Sequence, residues 1–414
     1  MIDKQSLLSV LDRWNTWKQQ PDAGVIRRKY VEQIAPFLER KEVIVLKGIR
    51  RCGKSTLMKQ LMMSLLKKGV SKEQLLYLNL EDYNLSPFLT MDLLEFVFQT
   101  YRNHVNRNKK TFFFIDEIQL INGWERWIRT KYDLQEDVKF IISGSSASLI
   151  SKEFSTKLTG RNISFQIKPA SFGEFLEFNK NGLLDEYLEY GGFPEVILEK
   201  NVHAKLKLLQ QYFEDIVHKD VIDRYKIRNP KQVHLLARYL CSNAGQKISY
   251  HKLAKSFGLS TGTAITYVKY LVDTFLFYEV SYFSYSVKIK YDVTKLSKIY
   301  VADNGLINIA EIKFSQSTGK KYENSVCIKI FEHHDSASYW SGKNEVDFVV
   351  SDTAINVVSS NNIPEREYKG PAEIKTKFKQ ITNALIVTKS KKKIEQDVGL
   401  VPLNEFLLAS KIGK

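Results

Sequence analysis

The segment Gly48-Ile49-Arg50-Arg51-Cys52-Gly53-Lys54-Ser55, followed by Thr56, combines glycines, a lysine and hydroxyls at a spacing suited to phosphate. Glycines permit bends where a Cβ would obstruct, so backbone N–H groups converge on an anion, and a helix N-terminus behind them favours negative charge. Lys54 would then serve the β- and γ-phosphates and Ser55 would ligate Mg²⁺, which makes residues 48 to 56 the candidate nucleotide-binding set. A second constellation is Asp116-Glu117, which ends the apolar run of Thr111-Phe112-Phe113-Phe114-Ile115. Asp116 can reach Mg²⁺ through its water shell, and Glu117 can polarise the water that attacks a γ-phosphate. Without the loop upstream, the same pair would read as an acidic strand cap. Ser143-Gly144-Ser145-Ser146 closes another apolar run, Phe140-Ile141-Ile142. A hydroxyl there, Ser143 first, can hydrogen-bond the attacking water or the γ-phosphate, although polar strand ends are also ordinary turns. Arg161, in Thr159-Gly160-Arg161, could stabilise transition-state charge in its own or a neighbouring subunit, or be a surface arginine.

These residues need a scaffold that brings strand ends together. Apolar runs at Val43–Leu46, Leu75–Leu80, Phe112–Ile115, Val138–Ile142 and Ile163–Ile167 alternate with helical spacing such as Leu57, Leu61, Leu65, Leu66 and Leu93, Leu94, Val97, Phe98. Continuous apolar strands separated by helices predict an α/β fold with a parallel sheet covered on both faces, its site outside the carboxyl ends of the strands. A leading segment with Leu7, Leu8, Leu11, Trp14 and Trp17 has helical spacing too.

The loop, the Asp-Glu strand, the Ser-Gly-Ser-Ser strand end and the Leu-Thr-Gly-Arg loop are followed by Pro169-Ala170-Ser171-Phe172-Gly173-Glu174-Phe175 and Tyr190-Gly191-Gly192-Phe193-Pro194-Glu195. Together they resemble the AAA-type P-loop ATPases of bacteria and archaea that carry an uncharacterised carboxy-terminal region. The resemblance implies a P-loop ATPase sheet in the order 5-1-4-3-2. It also implies ATP and Mg²⁺ as cofactors, with Lys54 on the phosphates, Ser55 and Asp116 on the metal, and Glu117 as base.

The chain has 414 residues, more than one core comfortably supports, and 43% apolar and 12% aromatic residues suit a globular protein. We expect an amino-terminal helix (1–24), an ATPase core (25–175), a helical lid (176–240), a winged-helix domain (241–312) and a small α/β domain (313–414). Cys52, Cys241 and Cys327 lie far apart, without disulfide or zinc spacing. The first residues lack a signal pattern, and no apolar run is long enough to cross a membrane, so a cytoplasmic protein without membrane partners is expected. A net charge of +16 fits a polyanion such as DNA, or simply solubility.

In the carboxy-terminal half, Ile248 to Ser260 predicts a short helix ended by Gly258, with Ser260 or Thr261 capping a second. A basic strand near Lys288 and Lys290 would supply a wing. The second helix offers Thr263, Thr266, Tyr267 and Lys269, a thin set for phosphate contact, so protein packing is as good a reading as DNA binding. From Lys321 onward the chain is similar to the nuclease-like region of the same ATPases. That similarity places Glu323 and Asp347 as a metal pair, but puts Asn356 and Val358 where Glu and Lys should complete it. Glu373-Ile374-Lys375 looks like a substitute, yet it follows Gly370-Pro371, and Phe378, Ile381 and Leu385 continue its helical spacing. The basic cluster from Lys389 to Lys393 could touch phosphate backbone or be a solvated charge run.

Three functions follow: an ATPase that drives or times a change in its carboxy-terminal modules; a slow nucleotide-gated regulator holding DNA or a protein; and an ATP-coupled DNA nuclease, which Asn356 and Val358 oppose.

Overall fold

Five strands, β1 (Val43–Lys47), β2 (Leu75–Asn79), β3 (Thr111–Asp116), β4 (Val138–Gly144) and β5 (Asn162–Gln166), form one sheet in the order β2-β3-β4-β1-β5. All pairings are parallel, and β1 to β4 are almost wholly buried, as their unbroken apolar runs require. This is the predicted 5-1-4-3-2 order, read from the other edge. The computed structural model describes residues 2–17, 23–107, 109–145, 160–286, 296–310 and 318–412. Their contacts divide into two compact units, Met1–Lys168 and Pro169–Lys414. None of the described helices is long and apolar enough to cross a membrane.

In the first unit, one core cluster joins Val43, Val45, Leu76, Leu78, Phe113, Ile115 and Ile142 of the sheet to Leu7 and Leu11, Leu94 and Phe98, and Trp124 and Ile128 of the covering helices. The amino-terminal helix Lys4–Trp14 is capped by Asp3, whose carboxylate accepts from Ser6 N at 2.9 Å. Beyond it the chain covers the open edge of β2. Asn15 pairs with both backbone groups of Tyr77, donating to its O at 2.9 Å and accepting from its N, and Trp17 Nε1 donates to Leu75 O at 3.0 Å. Two side chains thus act as a sixth strand, blunting an edge that would otherwise invite pairing with another chain.

The second unit opens with helices Phe172–Phe178, Leu184–Tyr190 and Val202–Val217. Further on, Ser249 caps the helix Tyr250–Phe257, Gly258 ends it in the left-handed region, and Ser260 caps Thr261–Asp273 by accepting from Thr263 N. Two strands follow, β6 (Phe277–Tyr282) and β7 (Lys298–Val301); Lys288 and Lys290, read as a wing, lie outside the described residues. The remaining strands are β8 (Ser338–Ser341), β9 (Glu345–Val350), β10 (Thr353–Val357), β11 (Asn383–Thr388), β12 (Lys393–Glu395) and β13 (Val398–Pro402). All eight form one sheet, β12-β13-β11-β10-β9-β8-β6-β7, so strands from both sides of residue 312 share it.

Helix Thr318–His333 precedes β8, β9 and β10, and helix Glu365–Lys377 makes the parallel crossover from β10 to β11. Glu373-Ile374-Lys375 is helical, as its spacing predicts. The helix starts earlier than Gly370 and contains Pro371; it stops at Lys377, and Leu385 belongs to β11. Glu373 is engaged with a turn, accepting from Lys343 N at 2.9 Å and from Asn344 N at 3.0 Å.

Candidate active site

Because β1, β3 and β4 run parallel, their carboxyl ends deliver the phosphate-binding loop, Asp116-Glu117 and Ser143 to one edge of the sheet. Gly48 packs so tightly against β5 that a Cβ there would stand 2.0 Å from Ile167 O. Gly53 caps the helix Lys54–Lys67 at φ 96, a conformation that favours glycine, so loop amides and helix N-terminus face the same space. Lys54 is buried, its Nζ donating to Gly48 O at 3.1 Å and Ile49 O at 3.2 Å, which folds the loop around the ammonium. Ser55 and Thr56 are exposed at the start of the helix, and Ile49 is buried beneath the loop. Arg50 pairs with Glu81 at 3.2 Å, and Arg51 occupies a positive φ of 68. The Cys52 thiol, its pKa raised by burial, donates to Ile167 O at 3.2 Å.

Asp116 is held from two sides. Ser143 Oγ donates to its Oδ1, and Tyr77 OH donates to its Oδ2 at 2.7 Å. Ser143 also accepts from Glu117 N at 3.1 Å. This fully buried hydroxyl thus links the two carboxylate residues. The Ser55 hydroxyl is near enough to act on the same Tyr77 phenol, so Ser55 and Asp116 both neighbour that hydroxyl. A hydroxyl and a carboxylate on one side of the loop suit a hard, oxygen-seeking cation, and the residues fit Mg²⁺.

Glu117 sits in the left-handed region at φ 58 and ψ 46, an uncommon state for a residue with a side chain and one that clusters at functional sites. Burial pushes its carboxyl above the ordinary range; Lys54 opposes this, Asp116 adds to it, and Arg50 and a hydrogen bond from Gln119 pull it back. Gln119 donates its Nε2 to Glu117, while its buried Oε1 has no partner among the described residues.

Arg161 is placed elsewhere. It precedes β5, and its carbonyl accepts from Val43 N at the amino-terminal end of β1. The five residues of β1 at about 3.3 Å each put roughly 16 Å between it and the phosphate-binding loop. Its guanidinium pairs with Asp133 at 3.0 Å. Arg161 thus stands at the opposite end of β1 from the phosphate-binding loop of its own chain. Ser146 and Thr159 lie outside the described residues.

Residue types alone missed three contributors. Tyr77 reads as one more apolar strand position. Arg27 is buried and donates to Cys52 O at 3.0 Å and Lys168 O at 2.9 Å, bracing the loop from behind, yet in sequence it opens an exposed-looking basic stretch. Gln119 had a signal, because it follows the Asp-Glu pair by two residues.

The second unit gathers carboxylates as well. Glu323 from helix Thr318–His333 and Asp347 from β9, the pair placed by sequence, do converge, and Glu345 joins them. All three face Lys298 Nζ, at 3.3, 3.5 and 2.8 Å respectively. Burial works against this ammonium, but Glu323, Asp347 and Glu345 overcome it and hold its pKa above the ordinary lysine range. Burial pushes Asp347 upward, Glu323 adds to that shift, and Lys298 opposes it. Among the described residues, no group of three or more His, Cys, Asp or Glu is arranged to hold a metal ion.

Comparison with known proteins agrees with the first unit. Residues 40–176 match the family model "AAA domain", and residues 181–318 match "Domain of unknown function (DUF8612)". The uncharacterized protein MJ1544 of Methanocaldococcus jannaschii is 31% identical over 377 residues, covering 84% of this chain and 80% of that one. An uncharacterized protein of Haemophilus influenzae is 28% identical over 378 residues, covering 87% and 93%. Among solved structures, the Walker-type ATPase PABY2304 of Pyrococcus abyssi aligns over 70% of this chain and 96% of that one, at 14% identity and a TM-score of 0.46.

Proposed function

The chain is an AAA-type P-loop ATPase belonging to the same family as the Methanocaldococcus protein, and we propose that it hydrolyses ATP to drive or time a conformational change of its carboxy-terminal modules. The observation that carries this is the linked set of Ser143, Asp116, Tyr77 and Glu117 at the strand ends facing the phosphate-binding loop. The loop amides and Lys54 bind the phosphates, and Ser55 and Asp116 hold Mg²⁺. That ion supplies neutralisation of the charge shared by the β- and γ-phosphates. Glu117 accepts the proton of the attacking water. Its Gln119 hydrogen bond fixes the carboxylate's direction, and the free Gln119 Oε1 is an acceptor for that same water.

Arg161, at the opposite end of β1 from the loop and paired with Asp133, fits a role toward a neighbouring chain or a plain surface arginine. For the second unit, a helix pair followed by strands supports the winged-helix reading, and the helix-three-strand-helix-strand order from residue 318 to 388 supports a degenerate nuclease-like one. Thr263 and Thr266 spend their hydroxyls on Ser260 and Gly262 O, while Ile265 stands exposed on the same helix. These details favour a protein partner over DNA for that helix.

A slow nucleotide-gated switch is the second reading. It is favoured by the raised pKa of Glu117, which leaves less of the base ionised at a given pH. Steady-state phosphate release from ATP and Mg²⁺ decides between them. Many turnovers per minute, lost in Glu117→Gln, fit an engine, whereas a single slow turnover with tight ADP retention fits a switch. Phosphate release undiminished in Glu117→Gln would remove both.

A further inference from the structure

The sequence resemblance of the carboxy-terminal region implies a divalent metal between Glu323 and Asp347, and the residues present do not fit one. We propose that the ammonium of Lys298 is a built-in cation standing in that position, so that the cluster is closed to metal and the module binds or braces rather than cleaves.

Four observations carry this. First, an ammonium has three N–H donors, and Lys298 meets three carboxylates: Glu345 at 2.8 Å, Glu323 at 3.3 Å and Asp347 at 3.5 Å. Its side chain is only 4% exposed, so an unpaired ammonium there would be strongly unfavourable, while the half-buried carboxylates keep part of their contact with water.

Second, each carboxylate has a further donor besides Lys298. Tyr300 OH donates to Glu323 Oε1 at 2.6 Å, Lys247 Nζ to Glu345 Oε2 at 2.6 Å, and Val357 N to Asp347 Oδ2 at 2.9 Å. An ion entering the cluster would have to compete with these donors as well as with Lys298 for the carboxylate oxygens.

Third, Asn356 does not offer its oxygen to the cluster. Its Oδ1 accepts from Asp347 N at 3.2 Å, and its Nδ2 donates to Glu367 Oε2 at 3.0 Å and Glu367 O at 3.1 Å. An amide can bridge a backbone N–H and a carboxylate in this way; a glutamate in its place would bring a fourth negative charge. Val358, where the resemblance calls for a lysine, packs instead against the apolar cluster of Tyr368, Ile386 and Leu400.

Fourth, Lys298 comes from β7, at the far edge of the sheet, whereas Glu345 and Asp347 lie on β9 and Glu323 on a helix. The positive charge missing from position 358 has thus been supplied by a different element and moved to the centre of the carboxylates.

Electron paramagnetic resonance of Mn²⁺ counts bound ions directly, using the intact chain without nucleotide. Wild type, Asp347→Asn, Lys298→Met and the Lys298→Met/Asp347→Asn double variant are compared. The expected result is the same count for wild type and Asp347→Asn, one additional Mn²⁺ per chain in Lys298→Met, and loss of that ion in the double variant. A wild-type ion that disappears in Asp347→Asn overturns the proposal, because the ammonium would then yield to metal. A folded Lys298→Met chain that gains no ion also overturns it. Should Lys298→Met fail to fold, thermal unfolding of the wild type keeps the question open to refutation: its midpoint should be the same in excess EDTA and in excess Mn²⁺, and a rise of several degrees with Mn²⁺ that Asp347→Asn abolishes sinks the idea.

Discussion

Asp116 and Glu117 in the first unit and Glu323, Glu345 and Asp347 in the second are both clusters of carboxylates gathered by the fold, but their neighbours differ. In the first, Lys54 is turned back onto its own loop carbonyls, Ser55 is exposed, and both oxygens of Asp116 meet neutral hydroxyls. In the second, an ammonium sits among the acids and a second lysine flanks it. A neutral hydroxyl directs a carboxylate without cancelling its charge, so the first cluster stays ready for a cation arriving with substrate. A buried ion pair cancels that charge permanently, and separating it leaves an unpaired charge in low dielectric. Carboxylates by themselves do not make a site; the charge state of their companions decides.

The sharpest way to break this comparison is Glu117→Gln, which should lower the rate of phosphate release by about 10²–10⁴-fold, the usual worth of a positioned base, while fluorescent ATP-analogue binding persists. Equal loss of binding would make Glu117 a fold residue instead. Next in size, Lys298→Met should destabilise the chain in urea unfolding at neutral pH by less than the ~3–5 kcal/mol of a fully buried pair, since the carboxylates it strands are only half-buried and keep some water. The deficit should shrink as pH falls, because carboxylates stranded by the change take up protons and lose the charge that repels. A deficit that grows toward acid pH contradicts the assignment.

Tyr77→Phe removes a charge-assisted hydrogen bond to Asp116, worth about 1.5–3 kcal/mol. Its signature should be a weaker Mg²⁺ dependence of nucleotide binding, whereas a residue needed only for packing would leave that dependence unchanged.

A finer test uses pH. Glu117 acts as base only when ionised, and burial raises its pKa, so phosphate release should climb with pH through a midpoint above the ordinary glutamate range. The Gln119 hydrogen bond pulls that pKa down, so Gln119→Leu should shift the midpoint further toward alkaline pH. A shift toward acid pH would mean that Gln119 serves another partner. The smallest effect is expected for Arg161→Ala. Its half-exposed pairing with Asp133 is worth about 0.2–1 kcal/mol, and turnover should not change in dilute, monomeric protein. A large loss there would contradict its placement away from the loop.

Much of the first unit is legible in the chain because its signals are local. An unbroken apolar run such as Thr111 to Ile115 predicts a buried parallel strand, and Gly48, Gly53 and Lys54 identify the loop that follows β1. The partners that tune the site are not local. Tyr77 lies one strand away from Asp116, and its hydroxyl matters only because β2 and β3 pair in the register Tyr77 to Phe114. Ser143 is legible as a strand-end hydroxyl, but spacing does not say that Asp116 and Glu117 are the neighbours it meets. In the second unit, Glu323 and Asp347 stand out by type, but Lys298 is one of many lysines, and only the sheet order brings β7 within reach of them.

The most direct measurement of the whole account is one reaction containing the intact chain, ATP, Mg²⁺ and supercoiled plasmid, with phosphate release and plasmid nicking followed together for wild type, Glu117→Gln and Asp347→Asn. The account predicts phosphate release by wild type and Asp347→Asn at similar rates, almost none by Glu117→Gln, and uncut plasmid in every tube. Nicking by the wild type that Asp347→Asn abolishes, or turnover that survives Glu117→Gln, would contradict it.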